Sequence, residues 1–365
     1  MPRINLHYEI RRVEHLNFGK MAICRKLIIT NFVFIALFSH EVAEAASKYA
    51  GDFLTLGVGA RPLGMGGSFA AIADDSTATY WNPAGLGRLR HSEIAFMHSS
   101  LGDLDSYDFV NYIHPVRRNG AIGLSWLRVG VDDIPITSVQ IPNRPVGPRN
   151  RPQIEGYFNS TDNAFLLSYG RQIGFNVSSG PQPKRLNLFV GGNAKFIYIS
   201  AFKNTNAIGV GGDVGLLWVT NPERSSRFSV GVVAQDFFKT KLYWNTPPEN
   251  SDQASHTDTI NPNLKLGISY GQDIAPLNSR LLLTVDTDSL YSFEMHYGAE
   301  YVFADLLSLR IGVQERKGSE TIRLMTAGAG LRLSFITGAA FSVDYAFLSN
   351  SELGNSNRIS LMTRF

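Results

Sequence analysis

A transmembrane antiparallel β-barrel of about fourteen strands, with a short N-terminal plug, is the fold class that this sequence predicts. Three observations carry that reading. From residue 91 to the last residue, apolar and small or polar side chains alternate with period two. A strand with one face on lipid and the other on a lumen requires this over about ten residues. The composition is aromatic (11%) and glycine-rich (34 residues) but only 18% charged, against roughly 25% in an average soluble protein. The one long apolar stretch, Leu27 to Phe38, falls short of the roughly 20 residues that a spanning helix needs.

That stretch reads as an export signal. Arg25 and Lys26 stand before it and Ala43-Glu44-Ala45 follows. A basic flank, an apolar core of about 7–15 residues and an A-x-A site make a secretory signal peptide. Residues 1–45 are expected to be removed, with cleavage after Ala45 or, alternatively, Ala46. The polar segment before Met21 has no role in such a signal, which makes Met21 an alternative start. Cys24, the single cysteine, lies before the apolar core, whereas lipidation requires it at the cleavage point. The exported chain then has no cysteine, which excludes disulfides, thiolate catalysis and cysteine-bound metal. Removing the six basic and four acidic residues of 1–45 from totals of 34 and 31 leaves 28 against 27. Such a balance offers no electrostatic footprint for nucleic acid.

The strands follow from the alternation. Ile359, Leu361, Thr363 and Phe365 share one face of the last strand, and Arg358, Ser360, Met362 and Arg364 share the other. Phe341, Val343, Tyr345 and Phe347 alternate with Ser342, Asp344, Ala346 and Leu348, and Leu307, Leu309, Ile311 and Val313 oppose Ser308, Arg310, Gly312 and Gln314. The same pattern places strands at 91–100, 104–115, 119–130, 160–172, 186–200, 206–220, 227–238, 263–273, 279–288, 292–304, 306–316, 321–335, 339–348 and 356–365. The second of these carries apolar groups on both faces. A soluble sandwich would have shorter strands, about five or six residues, and a solvent face richer in Lys and Glu.

Connection lengths test the same topology. Bacterial barrels pair short periplasmic turns with longer outer loops. Taking the first strand as outward-running, the outer connections include 131–159, 239–262 and 349–355. The inner ones include Arg117-Arg118-Asn119, Asn221-Pro222-Glu223-Arg224, Asp305 and Thr337-Gly338, with 173–185 the one inner stretch that is not tight. Both termini then face the periplasm. Phe365 ends a clean alternating strand with a lipid-facing aromatic, the form of assembly signal expected for recognition by the barrel-assembly machinery.

Residues 46–90 break the alternation and form the predicted plug, ahead of the barrel at 91–365. Gly57, Gly59, Gly64, Gly66 and Gly67 crowd a short span, a density that means close backbone packing or positive φ. Asp74 or Asp75 can cap a short helix over Ser76 to Thr79. Asn82-Pro83 reads as an N-cap followed by proline at the first helical position, with Gly85 or Gly87 ending the turn. A nucleotide loop is the rival reading. Gly57-x-Gly59 starts like a dinucleotide fingerprint, but Pro62 occupies the next glycine position, no βαβ unit surrounds it, and no Gly-Lys-Ser/Thr follows.

The run Leu56-Gly57-Val58-Gly59-Ala60-Arg61-Pro62-Leu63-Gly64-Met65-Gly66-Gly67, with Ala73-Asp74-Asp75 and Trp81-Asn82-Pro83-Ala84-Gly85-Leu86, resembles the N-terminal signature of the PorV/PorQ proteins. These belong to the wider FadL-like long-chain fatty-acid transporter group of outer-membrane barrels. The resemblance covers about forty residues. It implies a fourteen-stranded barrel, a plug carrying Asn82, Pro83 and Ala84, and passage of hydrophobic solutes; in the PorV branch it implies service in type IX protein secretion. It identifies no ligand-binding residue.

The candidate lumen residues are Arg280, Asp286, Glu294, His296, Glu300, Arg310, Arg332, Asp344 and Arg358, with Arg364 beside them. Charges inside a membrane element mark a solute path or an internal network, and cross-strand pairing that braces the barrel is the favoured reading. No catalytic site, cofactor or metal is expected. His91, His98, His114, His256 and His296 lack ligand spacing, and no Gly-x-Ser-x-Gly elbow is present. The Pro- and Arg-rich stretch Ile134 to Pro152 is the candidate partner loop, with Arg144, Arg149 and Arg151 available to lipopolysaccharide or protein. The loop 239–262, carrying Tyr243, Trp244, Pro247 and Pro248, is a candidate lid. The expected partners are outer-membrane lipid and lipopolysaccharide, plus either a hydrophobic small molecule or secretion-system proteins; a purely structural or adhesive barrel is the third function class.

Overall fold

The computed structural model describes residues 50–100, 105–116, 119–177, 184–220, 225–246, 255–289, 293–317, 321–335, 338–349 and 354–365. The predicted signal peptide, Cys24 and the alternative start at Met21 lie outside them. So do the turns Arg117-Arg118 and Asn221–Arg224, the prolines Pro247 and Pro248, and most of 349–355.

The strands are β1 (Glu93–Ser100), β2 (Asp105–Val116), β3 (Gly120–Val139), β4 (Pro152–Val177), β5 (Lys184–Ser200), β6 (Asn206–Val219), β7 (Ser226–Gln235), β8 (Thr240–Asn245), β9 (Thr257–Ile260), β10 (Asn263–Ile274), β11 (Ser279–Asp288), β12 (Phe293–Phe303), β13 (Leu307–Lys317), β14 (Thr321–Ser334), β15 (Ala340–Ser349) and β16 (Ser356–Arg364). All pairings are antiparallel. Fourteen strands close a ring, each bonded to the next in sequence except that β7 is followed by β10. The ring closes between β1 and β16, in register from Glu93 opposite Arg364 to Ser100 opposite Asn357. Ser92 and Phe365 extend that seam by exchanging two backbone hydrogen bonds of 3.0 Å. Closure satisfies every edge that lipid could not, and the terminal residue itself belongs to it.

Burial follows the alternation. In β16, Arg358 and Ser360 are buried while Ile359, Leu361 and Phe365 are exposed. In β12, Glu294, His296 and Glu300 are buried while Tyr297 faces out. An outer surface carrying Ile94, Phe96, Leu124, Phe165, Leu283 and Ile311 is a lipid-facing surface. The apolar residues on both faces of β2 have a direct cause. Tyr107, Phe109 and Ile113 point inward and are fully buried, because the lumen at that point is packed with protein rather than water.

Two expectations about the outer connections are corrected. Most of 131–159 is strand, since β3 runs to Val139 and β4 starts at Pro152. β4 alone has 26 residues, where a membrane crossing takes about 9–11. The hairpin therefore projects well past the bilayer. Bulges between Val131 and Ile134 and between Ile136 and Thr137 re-aim it, with Asp133 at φ 56°. The candidate partner loop shrinks to residues 140–151. The stretch 239–262 is likewise no free lid. It folds into β8 and β9, and β8 pairs with the outer half of β6 (Asn206 opposite Asn245 to Val210 opposite Lys241), where β7 does not reach. Short strands of four and six residues flanked by polar sequence gave too weak a period to be read.

Candidate functional site

Residues 50–90 lie inside the ring and are held to its wall by backbone contact. Their local folding follows from a few side chains. Gly66 and Gly67 adopt φ 67° and 75°, which lets the chain reverse after the helical turn Ala60–Gly64. Asp75 accepts hydrogen bonds from the Thr77 backbone N–H (3.0 Å) and hydroxyl and so starts the turn Ala78–Trp81, two residues later than the sequence predicts. Asp74 is not the cap. Asn82 caps Pro83–Arg88, its Oδ1 accepting from the Ala84 N–H at 3.1 Å, while its Nδ2 donates to the carbonyls of Ala70 (2.8 Å) and Leu216 (3.1 Å). One amide thus ties two turns of the segment to β6. Trp81 donates from Nε1 to the Val58 carbonyl at 2.9 Å and packs edge-on against Phe69 and Tyr80.

The seat on the wall is glycine. Gly170, Gly191 and Gly215 are register partners across β4, β5 and β6, and Asn82-Pro83-Ala84 lies on them. A Cβ at Gly191 would stand 2.4 Å from the Pro83 carbonyl, and one at Gly215 would stand 2.2 Å from Asn82 Oδ1. Gly231 and Gly267 pair across β7 and β10 beneath Ala70-Ala71. Gly298 and Gly312 pair across β12 and β13 beneath Met65-Gly66, with the missing Cβ of Gly312 only 2.2 Å from the Gly66 nitrogen. Gly64 approaches Gly328 of β14, and Gly85 sits against the Ala73 carbonyl. The wall glycines were visible in the sequence as small inward-facing residues. That they form rows shared by neighbouring strands becomes legible only once the register is known.

Polar groups complete the attachment. Arg61 grips Glu300 of β12 with two bonds of 2.9 Å and also reaches Asp74 (2.6 Å) and Asp75 (2.9 Å). Burial alone would raise the Asp74 pKa; the Arg61 guanidinium beside it outweighs that and holds the carboxyl well below the usual carboxylate range. Glu300 is shared with Arg310 (2.7 Å), which also binds Asp344 at 2.6 Å. Asp286 accepts from the backbone N–H groups of Phe69 and Ala70, both at 2.7 Å. His296 donates from Nδ1 to the Gly66 carbonyl at 2.7 Å, and Thr326 bridges the backbone of Gly64 and Gly66. Ala60 donates to Ser360 Oγ at 2.8 Å.

The candidate lumen residues thus separate. Asp286, His296 and Glu300 hold the N-terminal segment. Arg310 and Asp344 brace the wall behind it. Glu294 binds Arg316 and Gln314. Arg280 lies at the rim, 3.6 Å from Asp305. Arg332 is half-buried and its side chain enters none of these contacts. Arg364 pairs with Glu93 across the seam at 2.6 Å. Arg358 is buried against the Tyr107 ring. Asp288, Glu294 and His296 come close enough for a cation, but Lys265 lies 3.4 Å from Asp288 and Arg316 binds Glu294, so side-chain cations already balance the cluster. A second buried group absent from the sequence reading is Lys195, 3.0 Å from both Asp213 and Asp236.

No protein-family model matches the sequence, and no curated protein does. Solved structures do. The toluene transporter TbuX of Ralstonia pickettii is 10% identical, with a TM-score of 0.43 over 84% of this chain and 97% of that one. A Pseudomonas aeruginosa FadL homologue is 9% identical, with a TM-score of 0.47 over 82% and 95%. The Acinetobacter baumannii outer membrane protein Omp33 is 8% identical, with a TM-score of 0.39 over 75% and 98%.

Proposed function

We propose that this chain is an outer-membrane conduit for hydrophobic small molecules, delivered by a cleaved signal peptide and closed at rest by residues 50–90 acting as a plug. One observation carries the reading. The segment fills the lumen by laying its backbone on rows of wall glycines and is held there by ion pairs and hydrogen bonds. A closed ring needs no such segment for its own integrity, because its strands satisfy one another. A separately seated, non-covalent filling is the arrangement of a closure that can shift. The apolar inward surface of Tyr107, Phe109, Leu127 and Ile197 suits an apolar solute, and the FadL-like kinship that the N-terminal motif implies supports the same reading.

A secretion-apparatus subunit is the second reading. The wall is dented outward of β1 to β6, where Ile94, Leu124, Trp126, Phe165 and Phe196 line a groove of about 720 Å³. A lipid-facing hollow of that kind suits a protein partner in the membrane.

Single-channel conductance in planar bilayers tests the first reading, comparing the intact protein with a variant that keeps the signal peptide but lacks residues 50–88. A clear rise with retained barrel structure is expected. Equal conductance would remove the plugged-conduit reading.

A further inference from the structure

We infer that the periplasmic mouth of the barrel is a docking surface for an acidic protein, received by a basic arc of the inner rim. The inference goes beyond the conduit reading and stands without it.

The arc is built from strand ends. Arg227 on β7, Arg280 on β11, Arg332 on β14 and Arg364 on β16 stand near the inner ends of their strands. By the period of two, they share the lumen face with the buried Ser229, Thr284, Thr326 and Ser360. The N-terminal segment adds Arg88 and Arg90 where it runs into β1. The acids of this rim are already taken. Asp74 pairs with Arg61 (2.6 Å), Glu93 with Arg364 (2.6 Å), Asp273 with Arg227, and Asp305 with Arg280 (3.6 Å). The terminal carboxylate of Phe365 follows Arg364 in the chain. Three arginines are left over. Arg88 donates to the Ile72 carbonyl, and Arg90 to the Gly87 carbonyl (2.8 Å) and Gln172 (3.3 Å). Arg332 is half-buried, and among the described residues none of the three forms an ion pair. Arg88, Arg280 and Arg332 all interact electrostatically with Asp74, which places them around one mouth.

Unmatched cations around a concave opening focus a field that draws anions to it. Their direction and spacing decide which anion. Phospholipid is excluded by direction, because these side chains face the lumen rather than the bilayer. A small anion is excluded by spacing. From β7 to β16 the ring takes seven interstrand steps, at about 4.8 Å each roughly 30 Å along the wall. No single phosphate spans that arc. A protein patch does, since a standard interface buries about 800 Å² per partner, a disc about 30 Å across. Guanidinium forks match surface carboxylates in geometry as well as charge, so the patch is one rich in Asp and Glu. The role of such a partner does rest on the conduit reading: an apolar solute leaving the mouth meets water and needs a carrier.

The test uses full-length protein in phosphatidylcholine nanodiscs, with empty nanodiscs as blank and fluorescein-labelled poly-L-glutamate as the probe. Intact protein should bind the probe, and added salt should weaken the binding steeply. Replacing Arg90, Arg280 and Arg332 together by Gln should weaken it roughly 10- to 100-fold. Arg332→Gln alone breaks no contact described here and should weaken it a few-fold; it carries the test if the triple variant does not insert. Replacing Arg144, Arg149 and Arg151 by Gln, at the tip of the outer β3–β4 hairpin, should leave binding unchanged. No binding by intact protein, or no loss in the rim variants, overturns the inference. Equal loss in the outer-tip variant overturns it too, because the basic surface would then lie at the other end. Purified peptidoglycan sacculi give the rival outcome: if the rim variants lose sacculus binding and keep polyglutamate binding, the arc serves the cell wall and not a protein. Conductance enters none of these measurements, so the conduit reading stands or falls separately.

Discussion

The two sides of the lumen are built on opposite rules. On β4 to β7 and β10 to β14, the N-terminal segment touches the wall backbone to backbone, through Gly191, Gly215, Gly231 and Gly312, and is pinned by Glu300, Asp286 and His296. On β1, β2 and β3, large side chains fill the gap around two hydrogen bonds, Asn111 to the Ser76 carbonyl and Ser125 to Thr79: Met97, Tyr107, Phe109 and Leu127 are all buried. Backbone contact leaves no side chain to rotate away, so the first side fixes where the segment sits. Side-chain packing can adjust rotamer by rotamer, so the second side can yield space without unseating it. One side is a dock and the other a deformable wall.

The largest expected effect comes from the dock. Arg61→Met leaves Glu300, Asp74 and Asp75 without the guanidinium they share, and Arg61 is only 13% exposed. Removing one partner of a buried charge network costs about 3–5 kcal/mol. The segment should detach while the ring persists. Trypsin cleavage within 50–90, together with raised conductance and unchanged heat-modifiable migration, checks this. A segment as protease-resistant as in the unaltered protein would mean that the glycine seat suffices without the charges.

Gly312→Val tests the seat itself and ranks next. Its Cβ would fall 2.2 Å from the Gly66 nitrogen and 2.7 Å from Thr326 Oγ1. Overpacking of this kind typically costs about 1–3 kcal/mol. Gly312 also faces Gly298 and Thr326 in the strand ladder, and valine favours strands, so barrel assembly should be unharmed. The expected result is partial opening: conductance above that of the unaltered protein and below that of Arg61→Met. Conductance unchanged from the unaltered protein would place the segment farther from β13 than described.

The barrel was legible in the sequence and the dock largely was not, for a physical reason. Strand alternation is local, so β10 to β16 start and stop within a residue or two of the positions read from Leu264, Leu281, Leu309 or Ile359. The Asn82-Pro83 cap is local too, and it forms as the residue types require. Which lumen charge meets which depends on register and on where the segment lies. Glu300 and Arg61 are 239 residues apart, and no spacing rule connects them. Gly191 and Gly215 look like any small inward residues until their strands are aligned. The β3–β4 extension was obscured by Pro135 and Pro152, which read as loop residues although the paired hairpin accommodates both.

The smallest expected effect belongs to the deformable wall. Leu127 lies opposite Phe109 on β3 and is fully buried in the cluster shared by the N-terminal segment and the wall. Leu127→Met keeps the volume and apolar character while adding a flexible thioether. Volume-conserving swaps of this kind cost less than about 1.5 kcal/mol. Because Leu127 is a member of the shared apolar cluster and takes no part in the glycine seat or the ion pairs, the segment's docking and the resting conductance should not change. Passage of an apolar solute should change instead, since the softer side chain alters the surface along which it moves. Uptake of a neutral hydrocarbon and of an octanoate-type acid, compared in proteoliposomes with and without the substitution, separates the two sides. A shift in uptake with unchanged trypsin resistance and resting conductance is the expected pattern. If Leu127→Met opened the channel as Gly312→Val is expected to, the two sides would be equally rigid, and the division into dock and deformable wall would fail.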